Sequence, residues 1–126
     1  MISTNKLKKT YPEVEAVKSV TLNVRPGEVY GFLGPNGAGK STTIAMLLGL
    51  VKPTSGHLSL FGNTLNDDYF KIKNAIGVVG ENPYFFDEMT AWEFLSFHAD
   101  LYMVESKENR INELLDVIEE TNGKII

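Results

Sequence analysis

The stretch that decides the fold is GFLGPNGAGKSTT, residues 31–43, in which glycines lead into a lysine, a serine and two threonines. Gly34 and Gly39 are separated by four residues and followed by Lys40 and Ser41, which is the spacing of a phosphate-binding P-loop. Backbone N–H groups of such a loop turn inward around an anion, and glycine reaches the required backbone angles at little cost. The stretch therefore predicts a site for the phosphates of a nucleotide.

The residues after the glycines have separate predicted roles. Lys40 is predicted to reach the β- and γ-phosphates, and Ser41 to offer its hydroxyl to Mg²⁺. Thr42 is predicted to add a contact to the α-phosphate. The helix that begins near Gly39 contributes unpaired amides and the positive end of its dipole. The predicted nucleotide-binding residues of this loop are Gly34, Pro35, Asn36, Gly37, Ala38, Gly39, Lys40, Ser41 and Thr42.

The segments on either side of the loop support this interpretation. Val29–Leu33 is apolar at nearly every position, which predicts a strand buried on both faces, as in a parallel sheet. Pro53 is predicted to end the helix that follows the loop. The apolar residues at helical spacing in that helix are Ile44, Leu47, Leu48 and Val51. A strand, a loop and a helix in this order favour phosphate binding over a merely tight connection.

The remaining apolar patterns predict an α/β fold. A short helix is predicted to begin at the polar residues 66–68, Asn66, Asp67 and Asp68, which are good caps. Further strands are predicted at Lys6–Thr10, at the alternating residues Val20, Leu22 and Val24, at Leu58 and Leu60, and at the apolar run Ile76–Val79.

The chain beyond the run Ile76–Val79 is predicted to be helical. Thr90 and Glu93 have the spacing of a capping box at the start of one helix. Ser106 is predicted to cap a last helix that ends near Gly123. The predicted apolar faces are Trp92, Leu95, Ala99 and Tyr102 in the first helix, and Ile111, Leu114, Leu115 and Ile118 in the second.

Composition narrows the class of protein. A length of 126 residues suits one domain or a piece of a larger one, and an apolar share of 43% allows a packed core. The absence of cysteine excludes disulfides and fits a reducing compartment. A net charge of −4 argues against a nucleic-acid partner. No signal peptide or membrane-spanning run is found, so we expect a soluble, cytoplasmic chain.

The sequence GPNGAGKST resembles the Walker A loop of the ATP-binding subunits of ABC transporters. The flanking stretches LKKTYPEVEAVKSVTLNVRPGEVYGFLG, GLVKPTSGHLSLFGN and IGVVGENPYFFDEMTAWEFLSFHADLY are also similar to that family. The resemblance implies a P-loop NTPase of the ABC-type ATPase fold, truncated after the N-terminal β-subdomain, the Walker A strand-loop-helix and the start of the helical subdomain. It places the N-terminal part of the ATP-binding core in residues 1–82 and the incomplete start of the helical subdomain in residues 83–126.

The resemblance also assigns two residues outside the loop. Tyr11 stands where the family has an aromatic residue that stacks on adenine, a contact worth about 1–3 kcal/mol on nucleobases. Glu81 occupies the Q-loop position, where most members have a glutamine that touches Mg²⁺ and the attacking water. Glu81 is therefore the predicted catalytic residue and, with Ser41, a predicted metal ligand. A cluster of aromatic residues near this position is expected first of all to pack in the core and between helices. In the family this region faces the membrane subunit, so an exposed patch there would mark a partner surface. The cluster consists of Tyr84, Phe85, Phe86, Trp92, Phe94 and Phe97.

The function implied by the resemblance is binding and hydrolysis of ATP, with Mg²⁺, to drive solute transport. The implied partners are a membrane-spanning permease subunit and a second ATP-binding subunit, and the implied location is the inner face of the cell membrane. The signature loop, the Walker B strand and the switch histidine of the family are not found, so we expect the chain alone to be inactive. The alternatives are a soluble ABC-type ATPase without a transport role and a non-catalytic nucleotide-binding or interaction module.

Overall fold

The computed structural model describes residues 1–64, 69–81 and 88–120, with side chains left out at 69–71 and 119–120. The chain starts as a β-hairpin of two long antiparallel strands, β1 (Ile2–Tyr11) and β2 (Val14–Val24). Both strands predicted in this region are confirmed, and both are longer than predicted. Lys6 interrupts the regular pattern of β1 with a φ of +48°, and its N–H donates to the Thr21 hydroxyl at 2.9 Å.

The hairpin belongs to a four-stranded sheet with the order β2-β1-β3-β4, in which every described pair is antiparallel. The added strands are β3 (Ser55–Leu60) and β4 (Asn63–Thr64). Leu58 and Leu60 are buried on one face of β3 and alternate with the half-buried Ser59, as predicted. Alternation of this kind is what an antiparallel sheet with one covered face requires.

Helix α1 (Lys40–Leu47) contributes to the core beneath the sheet. The predicted apolar stripe of this helix is only partly right, because Met46 and Thr43 are its buried residues and Ile44 is exposed. The Thr43 hydroxyl is satisfied by the Gly39 carbonyl at 2.8 Å, which allows a polar side chain in the core. The core cluster of buried residues comprises Leu7, Val17, Met46, Leu58, Leu60 and Ile72, with Leu47 and Val51 packed at its margin.

The two apolar runs predicted as buried strands, Val29–Leu33 and Ile76–Val79, are not strands in the structure. Val29 and Leu33 are 100% and 92% exposed, and Val79 is 90% exposed, so the burial prediction is wrong for most of both runs. Ile76 is the exception among the residues of the second run, since it is half-buried against the core cluster. A parallel strand takes its hydrogen bonds from neighbours that are distant in sequence. Among the described residues, no strand lies beside either run.

Three further helices follow in the described chain: α2 (Tyr69–Asn74), α3 (Ala91–Leu101) and α4 (Lys107–Glu120). The short helix predicted before residue 76 is confirmed as α2, while Asn66, Asp67 and Asp68 lie outside the described residues. The capping box of α3 is also confirmed, with the Thr90 N–H donating to Glu93 Oε2 at 2.8 Å. The Thr90 hydroxyl donates to the same carboxylate oxygen at 2.8 Å, and the backbone and side-chain hydrogen bonds from Thr90 together lower the pKa of Glu93.

The apolar faces predicted for α3 and α4 are only partly buried. Ala99 and Ile111 are buried, whereas most other members of the two stripes remain exposed. The exposed members are Trp92, Tyr102, Leu114 and Ile118. Two helices packed on each other can cover only one side of each stripe, which accounts for the difference. Gly123, the predicted end of α4, lies outside the described residues.

The chain divides into two compact units, residues 1–77 and 78–126. The sheet, α1 and α2 belong to the first unit, and α3 and α4 belong to the second. The boundary predicted between residues 82 and 83 stays a prediction. No described helix combines the length and the apolar character needed to cross a membrane.

Candidate functional site

The loop before α1 is tightly turned. Gly37 has a φ of +81°, in the left-handed region that favours glycine, and the Ala38 N–H donates to the Pro35 carbonyl at 3.2 Å. A Cβ placed on Gly34 would lie 3.3 Å from the Cβ of Ala38. The backbone therefore curls back on itself over a few residues, as a loop that wraps an anion must.

Gly39 joins this loop to α1, and at Gly39 the backbone packs closely against the hairpin. It is the N-cap of α1, has a φ of +85° and makes no side-chain cap hydrogen bond. A Cβ at this position would lie 2.3 Å from the carbonyl oxygen of Ala16 and 3.0 Å from the Val17 side chain, both on β2. Only glycine fits there. The first amides of a helix have no intrahelical acceptor, and in α1 they begin directly after Gly39.

The Lys40 side chain is hydrogen-bonded to the backbone of the loop. Its half-buried side chain turns back, and Nζ donates to the carbonyls of Gly34 at 2.6 Å and Pro35 at 2.8 Å. The ammonium group is thus held on the backbone of the loop, and Lys40 is also the first residue of α1, at the positive end of the helix dipole. A positive charge and unpaired amides together favour an anionic ligand.

The other predicted residues of the loop remain accessible. Ser41 is exposed on the first turn of α1, and Thr42 is half-buried. Pro35, Asn36, Gly37 and Ala38 are exposed residues as well. The structure therefore brings all nine predicted residues of 34–42 together in one loop and helix start. Their role in binding a nucleotide stays a prediction.

Tyr11 lies at the end of β1, on the hairpin that seats the loop. Its side chain is 40% exposed, and the Lys9 ammonium lies 4.9 Å from the centre of its ring. Lys9 pairs across the hairpin with Val17, the residue that touches the Gly39 position. Tyr11 and the loop are thus parts of one unit, and adenine stacking by Tyr11 stays a prediction.

Lys9 is not among the site residues predicted from the sequence. The run of lysines in β1 suggests only a charged strand surface, but residues two apart on a strand share a face, so the Lys9–Tyr11 spacing was a usable signal. The neighbouring Lys8 does something different, since its Nζ lies 2.6 Å from Glu15 on β2. The hydrogen bond from Lys8 lowers the pKa of Glu15.

Glu81 is exposed and belongs to the second unit. Its predicted catalytic and metal-binding roles, which require it to lie close to the loop at 34–42, stay predictions. The predicted partner surface is described in part. Trp92 and Phe97 are exposed and Phe94 is half-buried, while Tyr84, Phe85 and Phe86 lie outside the described residues.

A groove of 570 Å³ is found elsewhere in the first unit, lined by β1, β3 and residues 49–54. None of residues 34–42 lines it. A loop that binds through backbone amides needs no deep cavity, so the groove and the candidate site are separate features.

Comparison with known proteins places the chain among ATP-binding proteins of transporters. The family model described as ABC transporter matches residues 17–124. The ATP-binding protein YcbN of Bacillus subtilis (strain 168) and the bacitracin transport ATP-binding protein BcrA of Bacillus licheniformis are each 42% identical over 118 residues. Both alignments cover 94% of this chain but only 38% of the relative, so the chain spans about two fifths of the length of these curated relatives.

Solved structures agree with the sequence comparisons. The cbiO1 protein of Clostridium perfringens, part of the cbiONQ transporter complex, matches with a TM-score of 0.76 and 26% identity, over 97% of this chain and 50% of that one. The dimeric ATP-binding cassette MJ0796, bound to ADP and phosphate, matches with a TM-score of 0.72 and 28% identity, over 94% and 57%. The α/β fold with its antiparallel sheet is accordingly part of an ABC-type P-loop NTPase, as predicted.

Proposed function

Because this chain belongs to the ABC transporter family, we propose that it binds the phosphates of ATP at residues 34–42 and is the nucleotide-binding part of a transporter's ATPase subunit. One observation carries the proposal. Lys40 turns its ammonium group onto the Gly34 and Pro35 carbonyls, in a loop that Gly39 seats against β2 at the start of a helix. The Lys40 ammonium group, the amides at the start of α1 and the exposed residues of the loop thus lie in one place, and binding of a triphosphate requires such groups.

The residues of the chain suit ATP and Mg²⁺. The amides at the start of α1 and the Lys40 ammonium bind phosphate oxygens, and the exposed Ser41 hydroxyl is a ligand for the metal. Tyr11 offers a partly exposed ring on which a base can stack. Glu81 holds the metal or the water next to it. ATP itself supplies the phosphoryl group whose transfer to water provides the driving force.

In the whole protein, we propose, ATP hydrolysis drives movement of a solute through a membrane-spanning permease subunit. Two ATP-binding subunits work together, held at the inner face of the membrane by the permease. The names of the relatives support this proposal, since BcrA is a bacitracin transport protein, cbiO1 is part of a transporter complex and the MJ0796 cassette is dimeric.

Binding of MgATP, measured by isothermal titration calorimetry, tests the proposal. Replacing Lys40 with alanine removes a charge-assisted contact, so we expect affinity to fall by about tenfold or more. The matched control is Lys18→Ala, which removes the same charge from an exposed position on β2 and should leave affinity within about twofold.

The circular dichroism spectra and melting temperatures of the variants show whether the loop change has disturbed the fold. Equal MgATP affinity of the wild type and a folded Lys40→Ala variant would refute the assignment of the phosphate site. No binding by the wild type would refute the proposed activity of this chain.

A further inference from the structure

We propose that Lys9 is a positioning residue for the nucleobase: it supports the Tyr11 ring so that a base stacks on the remaining face. The inference rests on the proposed binding of ATP. It starts from the contact of the Lys9 ammonium, 4.9 Å from the ring centre, and from the partial exposure of the ring itself. A cation held against an aromatic face is attracted by the ring quadrupole and restrains the ring.

The ammonium group of Lys9 is itself anchored. Nζ donates to the Lys52 carbonyl at 2.9 Å, in the segment that follows α1. The same segment is bonded to the end of β1 at two more points. The Thr10 N–H donates to the Thr54 hydroxyl at 3.0 Å, and the Thr54 N–H donates to the Lys8 carbonyl at 2.8 Å. Lys9 therefore presents its charge from a fixed support.

The support and the phosphate loop share one hairpin. Lys9 is paired with Val17, and a Cβ at Gly39 would lie 3.0 Å from the Val17 side chain. Tyr11 is paired with Val14, and two residues of strand, about 7 Å, lead from Val14 to Ala16 at the base of the loop. A ligand whose phosphates lie in the loop thus has its far end next to this hairpin.

The consequence for binding is a selective one. If the Tyr11 ring is already held in place before a base binds, part of the entropic cost of ordering the ring on stacking is removed. The cation also draws electron density from the ring, which weakens the electrostatic repulsion between the ring and the π-face of the base. Lys9 should therefore matter for a ligand that has a base and not for the phosphates alone.

The experiment compares MgATP with magnesium tripolyphosphate, which has the phosphates and no base, by calorimetry on the full chain. The variants are Lys9→Gln, Lys9→Arg and, as the matched control on the same strand, Lys8→Gln. For Lys9→Gln we expect the ratio of the two affinities to shift about threefold against MgATP. Lys9→Arg keeps a cation that can lie on the ring and should restore the ratio, and Lys8→Gln should leave it unchanged.

Each other outcome overturns the inference. If Lys9→Gln leaves both affinities unchanged, Lys9 plays no part in binding; if it lowers both equally, Lys9 acts on the phosphates or on the fold alone. A similar shift in Lys8→Gln means that any charge on β1 has the same effect. If the wild type binds neither ligand, the proposed function fails first and this inference with it.

Discussion

The antiparallel sheet and the two apolar runs at residues 29–33 and 76–79 contain similar side chains in opposite environments. Leu7 in β1 is fully buried at 0% exposure, whereas Leu33 is 92% exposed. One partner of β1 is the next strand along the chain, β2, joined by a tight turn, so this first pairing costs little loop-closure entropy, and β3 then adds to the hairpin already formed. A parallel strand needs a partner supplied from farther away. Apolar composition is thus necessary for a buried strand, and an adjacent strand decides whether one forms.

The largest expected effect is on the free energy of unfolding, when the same substitution, leucine to alanine, is made in the buried strand and in the exposed apolar run. Leu7→Ala should lower the free energy of unfolding by about 3 kcal/mol, because it leaves a cavity in the core. Leu33→Ala should change it by less than about 0.5 kcal/mol, because little of that side chain is buried. Urea unfolding followed by circular dichroism measures both. Equal costs at the two positions would mean that residues 29–33 are packed in solution, against the structure.

A second test concerns the junction between the sheet and the phosphate loop. Gly37 and Gly39 both have left-handed backbone angles, but only Gly39 is crowded, by the Ala16 carbonyl. Gly37→Ala should cost about 1 kcal/mol for strain, and Gly39→Ala about 2 kcal/mol more for the clash. The same unfolding measurement applies. Similar costs for the two variants would show that the loop is not seated on β2.

The smallest effect is expected at the start of α3, which depends on local contacts. Thr90→Ala should destabilise the helix by about 1 kcal/mol through loss of its cap. Glu93 has a lowered pKa in the folded chain, so its contribution is present above the usual pKa of a glutamate and lost as pH falls through the lowered value. Hydrogen exchange of α3 amides should show greater loss of protection at low pH in the wild type than in Glu93→Gln. Identical pH profiles would contradict the capping contact.

The features that could be predicted are those whose contacts are close in sequence. The capping box of Thr90 and Glu93 spans one helical turn, and the loop at residues 34–42 is a contiguous motif. Both could therefore be predicted from the sequence alone. The full length of β1 was hidden, because the bulge at Lys6 breaks the alternation on which strand prediction depends.

The part of the candidate site that could not be predicted comes from contacts across the chain. The spacing of Lys9 and Tyr11 can be read from the sequence, but the anchoring of the Lys9 ammonium group by the Lys52 carbonyl, 43 residues away in sequence, cannot. The wrong prediction of two buried strands has the related cause that neighbours cannot be read from the composition of a single segment.

The geometry of Lys40 has one more consequence, which concerns how many hydrogen bonds its ammonium group can donate. An ammonium group carries three N–H bonds in a tetrahedral arrangement. In the described structure two of these point to the Gly34 and Pro35 carbonyls, which leaves the third directed elsewhere. A phosphate oxygen can thus be bound without releasing either carbonyl. The flat fork of an arginine cannot divide its donors in this way, so a replacement that conserves the charge still changes the chemistry of the loop.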